Sequence, residues 1–139
     1  MKPVLYAEDD ADDLFFMRHV WQLAEVPNPL VHVKDGVQAL EYLAGEGAFA
    51  DRQKNPLPCL LLLDLKMPAK SGFEVLAWVR HHQTLAPLKV VIISASNQAA
   101  DIAAAQSLGV TDYVVKSPDP EKLLCLVRQK RHLWLPISG

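Results

Sequence analysis

Two short runs of aliphatic residues, at positions 60–63 and 90–93, constrain the fold of this chain more than any other feature. The first run is four leucines and the second is Val-Val-Ile-Ile, so neither alternates with polar residues. Strands buried on both faces have this pattern, and they occur mainly in parallel sheets that carry helices on each side. The two runs therefore predict an α/β fold in which they form central strands.

Candidate strands and helices alternate along the whole chain. Strands are predicted at residues 4–7, 30–33, 59–63, 89–94 and 112–115, and helices near 12–25, 36–44, 72–83, 98–108 and 120–132. Helix starts are marked by the capping-box sequence from Ser71 to Glu74 and by Asp119 followed by Pro120. Because 139 residues fit one domain, we expect a doubly wound, five-stranded parallel (βα)5 sheet.

Composition and charge exclude several classes of function. The formal net charge is −2 and the sequence has no basic arm, so no nucleic-acid partner is expected. No stretch approaches the roughly 20 apolar residues of a membrane span. An acid at Glu8 argues against a signal peptide, and we expect a cytoplasmic protein. Cys59 and Cys125 lie in apolar runs and are expected to be buried.

Acidic residues crowd the segment that follows the first strand. Five carboxylates fall within six positions: Glu8, Asp9, Asp10, Asp12 and Asp13. Clustered carboxylates at a strand end suit a hard divalent cation such as Mg²⁺, but acid also caps and begins helices. We assign Glu8 and Asp9 to a metal site. Asp10, Asp12 and Asp13 are expected to start the first helix, with Asp10 close enough to modulate the site.

Polar residues also follow three of the later strands. Asp64 follows the third strand, Ser94-Ala95-Ser96 ends the fourth, and Lys116 follows the fifth. The carboxyl ends of parallel strands share one edge of the sheet, where ligands bind in open α/β folds. The sequence therefore predicts that these groups converge with the acidic pair.

The order and spacing of these residues resemble the response-regulator receiver domain, the CheY-like phosphoacceptor of two-component signalling. The shared pattern is an acid pair, Asp64 with Pro68 four residues later, the pair Ser94-Ala95, and Lys116. The resemblance implies strand order 2-1-3-4-5 and a receiver domain over residues 1–132. It also implies that Asp64 accepts a phosphoryl group from a histidine kinase. Such a domain catalyses only its own phosphorylation and dephosphorylation, so we do not class it as an enzyme.

The resemblance also implies a ligand set for Mg²⁺. The ion would be bound by Asp9, Asp64 and the backbone carbonyl of Lys66, with Glu8 acting through water. The cation would offset the repulsion between these carboxylates and an anionic phosphoryl donor. The side chain of Lys66 is a departure from many family members, and we expect it to pair with Glu8 or Asp10.

Further roles follow from the same resemblance. Lys116 would pair with the phosphoryl group, Ser94 would hydrogen-bond one of its oxygens, and Ala95 would leave space for entry. Ser94 and Tyr113 would form the conformational switch, with residues 99–131 as the output face. Four residues are expected to modulate the site: Lys66, Ala95, Ser96 and Asp10.

The end of the chain carries a second set of expectations. Residues 133–139 are predicted to form an apolar tail that needs cover, and we expect a homodimer with four interface residues: Leu133, Trp134, Leu135 and Ile137. This ending and a long loop at residues 45–58 resemble the stand-alone receivers that accompany bacterial phytochrome histidine kinases. In Lys116-Ser117-Pro118 the proline is one position later than the family pattern, so the turn after strand five is undetermined.

Other classes of protein remain as alternatives. A degenerate receiver would keep the fold and act only as a binding module. An aspartyl-phosphate hydrolase of the haloacid dehalogenase type would need a second aspartate at the position of Lys66. A flavodoxin-like flavin binder would need a phosphate loop rich in Ser, Thr and Gly after the first strand. For a receiver, the output is either binding to a target protein or onward transfer of the phosphoryl group.

Overall fold

A computed structural model describes residues 1–136 of the chain. The elements in order are β1 (Val4–Ala7), α1 (Ala11–Leu23), β2 (Leu30–Val33), α2 (Gly36–Ala44), a 3₁₀ turn (Gly47–Phe49), β3 (Leu60–Leu63), α3 (Gly72–His81), β4 (Lys89–Ser94), α4 (Ala99–Ser107), β5 (Asp112–Val115) and α5 (Pro120–Trp134). The strands form one parallel sheet in the order β2-β1-β3-β4-β5. The predicted (βα)5 fold and strand order are confirmed.

The two aliphatic runs lie at the centre of the sheet, as expected. Every residue of β3 has no exposed surface. Leu61 and Leu63 pack on the side of α2, α3 and α4, whereas Leu60 and Leu62 pack on the side of α1 and α5. Burial on both faces explains why neither run contains a polar residue.

Side-chain caps define where the helices begin. Four side chains accept hydrogen bonds from backbone N–H groups of the first turn: Asp10, Asp35, Ser71 and Asp119. These bonds satisfy donors that have no partner within the helix. At the carboxyl end of α4, Gly109 adopts a left-handed φ of 81°, which stops the helix.

The long loop at residues 45–58 is fastened to the end of α2. Arg52 donates hydrogen bonds to the carbonyl oxygens of Tyr42, Leu43 and Asn55 at 2.7–3.0 Å. The Tyr42 hydroxyl donates to the carbonyl of Pro56 at 2.8 Å. Because the loop precedes β3, it lies at the amino end of that strand, away from Asp64.

The end of the chain departs from the expectation. Helix α5 continues through Trp134, and Trp134 and Leu135 are only 1% and 7% exposed within the core on the α1 and α5 side. The expectation of an apolar tail that offers these two residues to a partner is therefore wrong, because the domain itself covers them. Leu133 is 53% exposed, and Ile137 lies outside the described residues.

Two smaller expectations can be compared with the structure. Over residues 1–136, no helix has the length and apolar character needed to cross a bilayer. Cys59 is half-buried, but Cys125 is exposed on α5. The expectation that both thiols are buried is wrong for Cys125 because it lies on the outer face of an amphipathic helix.

Candidate functional site at the carboxyl edge of the sheet

The strand register brings the predicted site residues to one edge of the sheet. Ala7 of β1 pairs with Leu63 of β3, so Glu8 and Asp64 follow at neighbouring positions. The Asp64 N–H donates to the carbonyl of Ala7 at 3.2 Å, and the Lys116 N–H donates to the carbonyl of Ser94 at 2.7 Å. Parallel pairing thus places residues that are far apart in sequence beside one another.

Lys116 is the centre of the charged cluster at this edge. Its Nζ lies 2.8 Å from Glu8 Oε1, 2.7 Å from Asp13 Oδ2 and 2.9 Å from Asp64 Oδ2. The predicted convergence of Glu8, Asp64 and Lys116 is confirmed by these contacts. One ammonium therefore serves three carboxylates, and the cluster keeps an excess of negative charge.

The Asp64 carboxylate is fixed through both oxygens. Oδ1 accepts a hydrogen bond from the Lys66 N–H at 3.2 Å, while Oδ2 accepts from Lys116. Behind it, α3 begins very close to β3, because a Cβ at Gly72 would lie only 2.4 Å from the Asp64 carbonyl oxygen. Gly72 was not singled out in the sequence, yet its missing side chain sets the backbone position of Asp64.

Glu8 is buried, with 1% of its surface exposed, and both of its carboxylate oxygens accept hydrogen bonds. Oε1 accepts from the Tyr6 hydroxyl at 3.1 Å, and Oε2 accepts from the N–H groups of Asp9 and Asp10 at 3.1 and 3.3 Å. His32 Nε2 donates to the Glu8 carbonyl oxygen at 2.7 Å. These contacts fix the position of the Glu8 backbone and the orientation of its carboxylate.

Burial and charge shift the ionisation of the cluster. Burial raises the pKa of Glu8 to about 7, with Asp64 adding to the rise and Lys116 opposing it. Burial by itself would lower the pKa of Lys116, but hydrogen bonds to Asp13, Glu8 and Asp64 outweigh it and raise that pKa. Burial, followed by the charge of Glu8, also raises the pKa of Tyr6. Lys116 therefore stays cationic, and Glu8 keeps its proton to a higher pH than an ordinary glutamate because its pKa is raised.

Three carboxylates are placed to hold a metal ion. Ligand oxygens of Glu8, Asp9 and Asp64 lie within 4.8 Å of one another, with Asp9 exposed and the other two buried. A donor set made only of oxygen suits a hard divalent cation, and its negative charge is incompletely neutralised by one ammonium. The residues present therefore fit the expected Mg²⁺.

The segment after β4 links Ser94 to α4 and β5. Ser94 is buried, and its Oγ accepts a hydrogen bond from the Ser96 N–H at 3.2 Å. The Ser96 hydroxyl donates to Asp101 in the first turn of α4, and the Ser96 carbonyl accepts from the Tyr113 hydroxyl at 2.8 Å. Ser96 thus connects the two residues that the resemblance implied as a switch.

The family model described as "Response regulator receiver domain" matches residues 4–128.

The chain belongs to the response regulator receiver domain family.

Several relatives of this receiver domain act in light signalling according to their names. Response regulator Rcp1 of Synechocystis sp. is 31% identical over 96% of this chain and 89% of its own length. The structure of a Mn²⁺-bound form of response regulator Rcp1 matches with a TM-score of 0.87 and 29% identity, covering 100% of this chain and 98% of that one. Response regulator RPA3017, in red light signaling of R. palustris, matches with a TM-score of 0.92 and 34% identity over 100% and 97% of the two chains. The phosphorylated cyanobacterial phytochrome response regulator RcpA matches with a TM-score of 0.88 and 33% identity, covering 99% of this chain and 96% of that one. The chain is thus homologous to phytochrome response regulators.

Some side chains of this receiver domain lie apart from the charged cluster. Lys66 and Ala95 are exposed. Within residues 1–136 the ion pairs are made by Lys116 and Lys130, so the expected pairing of the Lys66 ammonium with Glu8 or Asp10 is not found. Asp10 caps α1, which confirms the expectation that it starts the first helix.

The turn after β5 and the first helix add two findings. No cis peptide bond occurs in the described part of the chain, so Lys116 and Ser117 are joined in trans. Asp13 lies in the first turn of α1, as expected, but its carboxylate also accepts a hydrogen bond from Lys116, which the sequence analysis missed. A signal was present in the sequence, since Asp9 and Asp13 are four residues apart and an acid in the first turn of α1 must lie near the edge from which the helix departs.

An open cavity adjoins the charged cluster. It has a volume of about 490 Å³ and is lined by residues of α1, β5 and α5, among them Asp13 and Lys116, together with Tyr6 of β1.

Proposed function

We propose that this chain is a two-component response regulator in which Asp64 accepts a phosphoryl group from a histidine kinase in a Mg²⁺-dependent reaction. The observation that carries the proposal is the 2.9 Å contact between Asp64 Oδ2 and Lys116 Nζ, at the same edge as the carboxylates of Glu8 and Asp9. This arrangement combines a nucleophile, a cation for the phosphoryl oxygens and a metal-binding donor set.

The chemistry requires positioning and charge neutralisation. An Asp64 oxygen attacks phosphorus, the bond between phosphorus and the donor imidazole breaks, and an acyl phosphate forms while the imidazole leaves as the neutral base after gaining a proton. The fixed carboxylate of Asp64 limits the reorganisation that this attack needs. Lys116 pairs with the incoming phosphoryl oxygens as a point charge.

The metal ligands that we propose are Asp9, Asp64, the Lys66 carbonyl and, through water, Glu8. When bound, Mg²⁺ supplies positive charge that offsets repulsion between the carboxylates and the donor. An indirect role for Glu8 is supported by its occupied oxygens, which accept from Tyr6, Lys116 and two backbone N–H groups. The Mn²⁺-bound form of the relative Rcp1 supports a divalent cation in this family.

The switch that we propose consists of Ser94 and Tyr113. Ser94 Oγ would leave the Ser96 N–H to hydrogen-bond the phosphoryl group, and Ser96 would pass that change to Tyr113 and to α4. The contact with the phosphoryl group biases a two-state segment, which is how a local charge alters a distant surface. The output is protein binding or onward phosphotransfer, not turnover of a separate substrate.

The kinase that we propose as donor is a bacterial phytochrome. Support comes from the relatives RcpA, a phytochrome response regulator, and RPA3017, a response regulator in red light signaling. The test is a panel of purified histidine kinases that includes a phytochrome. Transfer from the phytochrome at least tenfold faster than from the others would support the assignment, and equal rates would contradict it.

The homodimer stays a prediction. Since Trp134 and Leu135 are buried, Leu133 is the exposed apolar residue of the expected set within the described residues. Light scattering at tens of micromolar chain, with and without a phosphoryl mimic, tests the prediction, and a monomer under both conditions would contradict it.

The phosphoacceptor itself is tested by labelling with acetyl phosphate and MgCl₂, detected as a phosphoryl mass increment. Wild type and Asp51→Asn, a control in the exposed 45–58 loop, should both be labelled. Asp64→Asn should not be labelled, and EDTA should abolish labelling of all forms. Labelling that survives in Asp64→Asn would refute Asp64 as the acceptor. A wild type that a competent kinase also fails to label would favour the degenerate receiver.

A further inference from the structure

Asp13 makes the shortest of the three contacts to Lys116, at 2.7 Å. Its side chain is 37% exposed, while that of Lys116 is 20% exposed. Asp13 is not one of the carboxylates that the resemblance to the family assigned to the site. Its contact with the ammonium therefore needs an explanation of its own.

The explanation starts from a conflict between two cations. Glu8 and Asp64 contact Lys116, and both also belong to the donor set that fits a divalent cation. A divalent cation repels an ammonium at short range, and each carboxylate has few lone pairs to share. When the metal binds, Lys116 must therefore weaken its contacts with Glu8 and Asp64.

Asp13 is the one carboxylate in contact with Lys116, among the described residues, that is not part of the metal donor set. Over residues 1–136, the carboxylates within 4.0 Å of its Nζ are Glu8, Asp13 and Asp64, and only Asp13 lies outside the metal donor set. The contact can persist while the other two are exchanged. It also holds the ammonium beside the acceptor, where a phosphoryl group would need it.

The backbone of both residues in this contact is held by hydrogen bonds. The Asp13 N–H donates to the capping carboxylate of Asp10 at 3.1 Å, which sets the first turn of α1. The Lys116 N–H donates to the Ser94 carbonyl at 2.7 Å, which ties the end of β5 to β4. A side chain anchored in this way can define where the ammonium sits without touching substrate or metal.

We propose that Asp13 is a positioning residue that holds Lys116 aside when Glu8 and Asp64 bind the divalent cation. The proposal rests on the proposed function, which assigns the metal to Asp64 directly and to Glu8 through water. Without Asp13, the ammonium moves fully onto Glu8 and Asp64 and competes with the metal for them. Loss of Asp13 therefore weakens metal binding through Lys116, beyond the loss of one negative charge near the site.

The test compares Asp13→Asn with Asp12→Asn, which removes the same charge at the exposed neighbouring position. Mg²⁺ binding is measured by calorimetry, and the position of the ammonium is followed by the NMR shift of the Lys116 Cε–Hε group. We expect Asp13→Asn to raise the Kd for Mg²⁺ about fivefold or more, against less than about twofold for Asp12→Asn. The Lys116 signal should move in Asp13→Asn only.

A double variant separates positioning from simple charge. In a Lys116→Met background, Asp13→Asn should change the Kd no more than Asp12→Asn does, because there is no ammonium to hold aside. An equal effect of Asp13→Asn with and without Lys116 would overturn the proposal. Should Asp13→Asn unfold, as judged by circular dichroism, Asp13→Glu takes its place, since it keeps the carboxylate and should stay within about twofold of wild type; a fivefold loss in that variant would also overturn it.

The outcomes also separate this inference from the proposed function. Wild type that neither binds Mg²⁺ nor becomes labelled refutes both. Wild type that does both, alongside an Asp13→Asn variant indistinguishable from Asp12→Asn, refutes only the role of Asp13.

Discussion

Lys116 and Asp64 are 52 residues apart in sequence, yet Lys116 Nζ lies 2.9 Å from Asp64 Oδ2. They follow strands β5 and β3, which are separated in the sheet by β4, so the long lysine side chain reaches across one strand. The contact makes the acceptor carboxylate and its cation a preformed pair.

Replacing Lys116 by Met should destabilise the metal-free protein at pH 8. Three carboxylates would lose their shared cation, and we expect a loss of about 1–3 kcal/mol, reduced by the partial exposure of Asp13 and by proton uptake at Glu8. Urea unfolding in EDTA measures the change. Millimolar MgCl₂ should restore most of the stability. Lys66→Met, which removes an exposed ammonium outside the cluster, should unfold like wild type; equal losses in both variants would contradict the prediction.

Metal binding should become weaker and release protons as the pH falls below about 7. The pKa of Glu8 is raised from its ordinary 4.5 to about 7. Between these two pH values, Glu8 is therefore protonated in the folded metal-free chain but ionised in the unfolded chain. Glu8 therefore contributes stability in full below pH 4.5 and loses that contribution as the pH rises through about 7. A cation needs the ionised carboxylate and displaces the proton.

Calorimetry of Mg²⁺ binding at pH 6 in two buffers of different ionisation enthalpy measures this proton release. Glu8→Gln should abolish both the proton release and the fall in metal-free stability between pH 4.5 and 7. A proton release that persists in Glu8→Gln would assign it to another group.

Gly72→Ala should destabilise the protein and disturb the acceptor together. The new Cβ would lie 2.4 Å from the Asp64 carbonyl oxygen, so α3 and the end of β3 must move apart. Overpacking against backbone costs about 1–3 kcal/mol. Glu74→Ala, in the same turn with an exposed side chain, should change stability by no more than about 0.5 kcal/mol. Normal labelling kinetics in Gly72→Ala would show that Asp64 tolerates the shift.

Trp134 should be a core residue, unlike its neighbour Leu133. Trp134 is 1% exposed and its Nε1 donates to Asp112 Oδ2 at 3.0 Å, whereas Leu133 is 53% exposed. Trp134→Ala should cost about 3–5 kcal/mol in urea unfolding, and Leu133→Ala less than about 0.5 kcal/mol. Similar small losses of stability in both variants would contradict the burial of Trp134 and support the exposed tail that the sequence predicted.

The fold could be predicted from the sequence because its signals are local. The leucines at 60–63 have no polar alternation, and Ser71, Asp119 and Gly109 mark helix ends within one turn. Each strand then carries its polar end to a shared edge, which follows from parallel pairing alone. The gathering of Glu8 and Lys116 needed no knowledge of side-chain conformation.

The parts that failed depend on tertiary packing. The sequence around Trp134 does not show whether this side chain is buried within its own domain or against a partner. Only the tertiary packing of α5 settles that question. The position of Asp13 in the first turn of α1 places it near the site, but only the folded structure shows that the Lys116 side chain extends to it. The exposed Lys66 is the converse case, a charge close in sequence to Asp64 that belongs to none of the ion pairs of the described residues.

The Arg52 hydrogen bonds that fasten the 45–58 loop have a practical consequence. They hold this loop at the amino end of β3, while Asp64 follows its carboxyl end. Lys54 is exposed within the loop and belongs to none of the ion pairs of the described residues. A dye or an immobilisation handle attached at position 54 would therefore leave the charged edge untouched, and the chain could be followed at work while fixed to a surface.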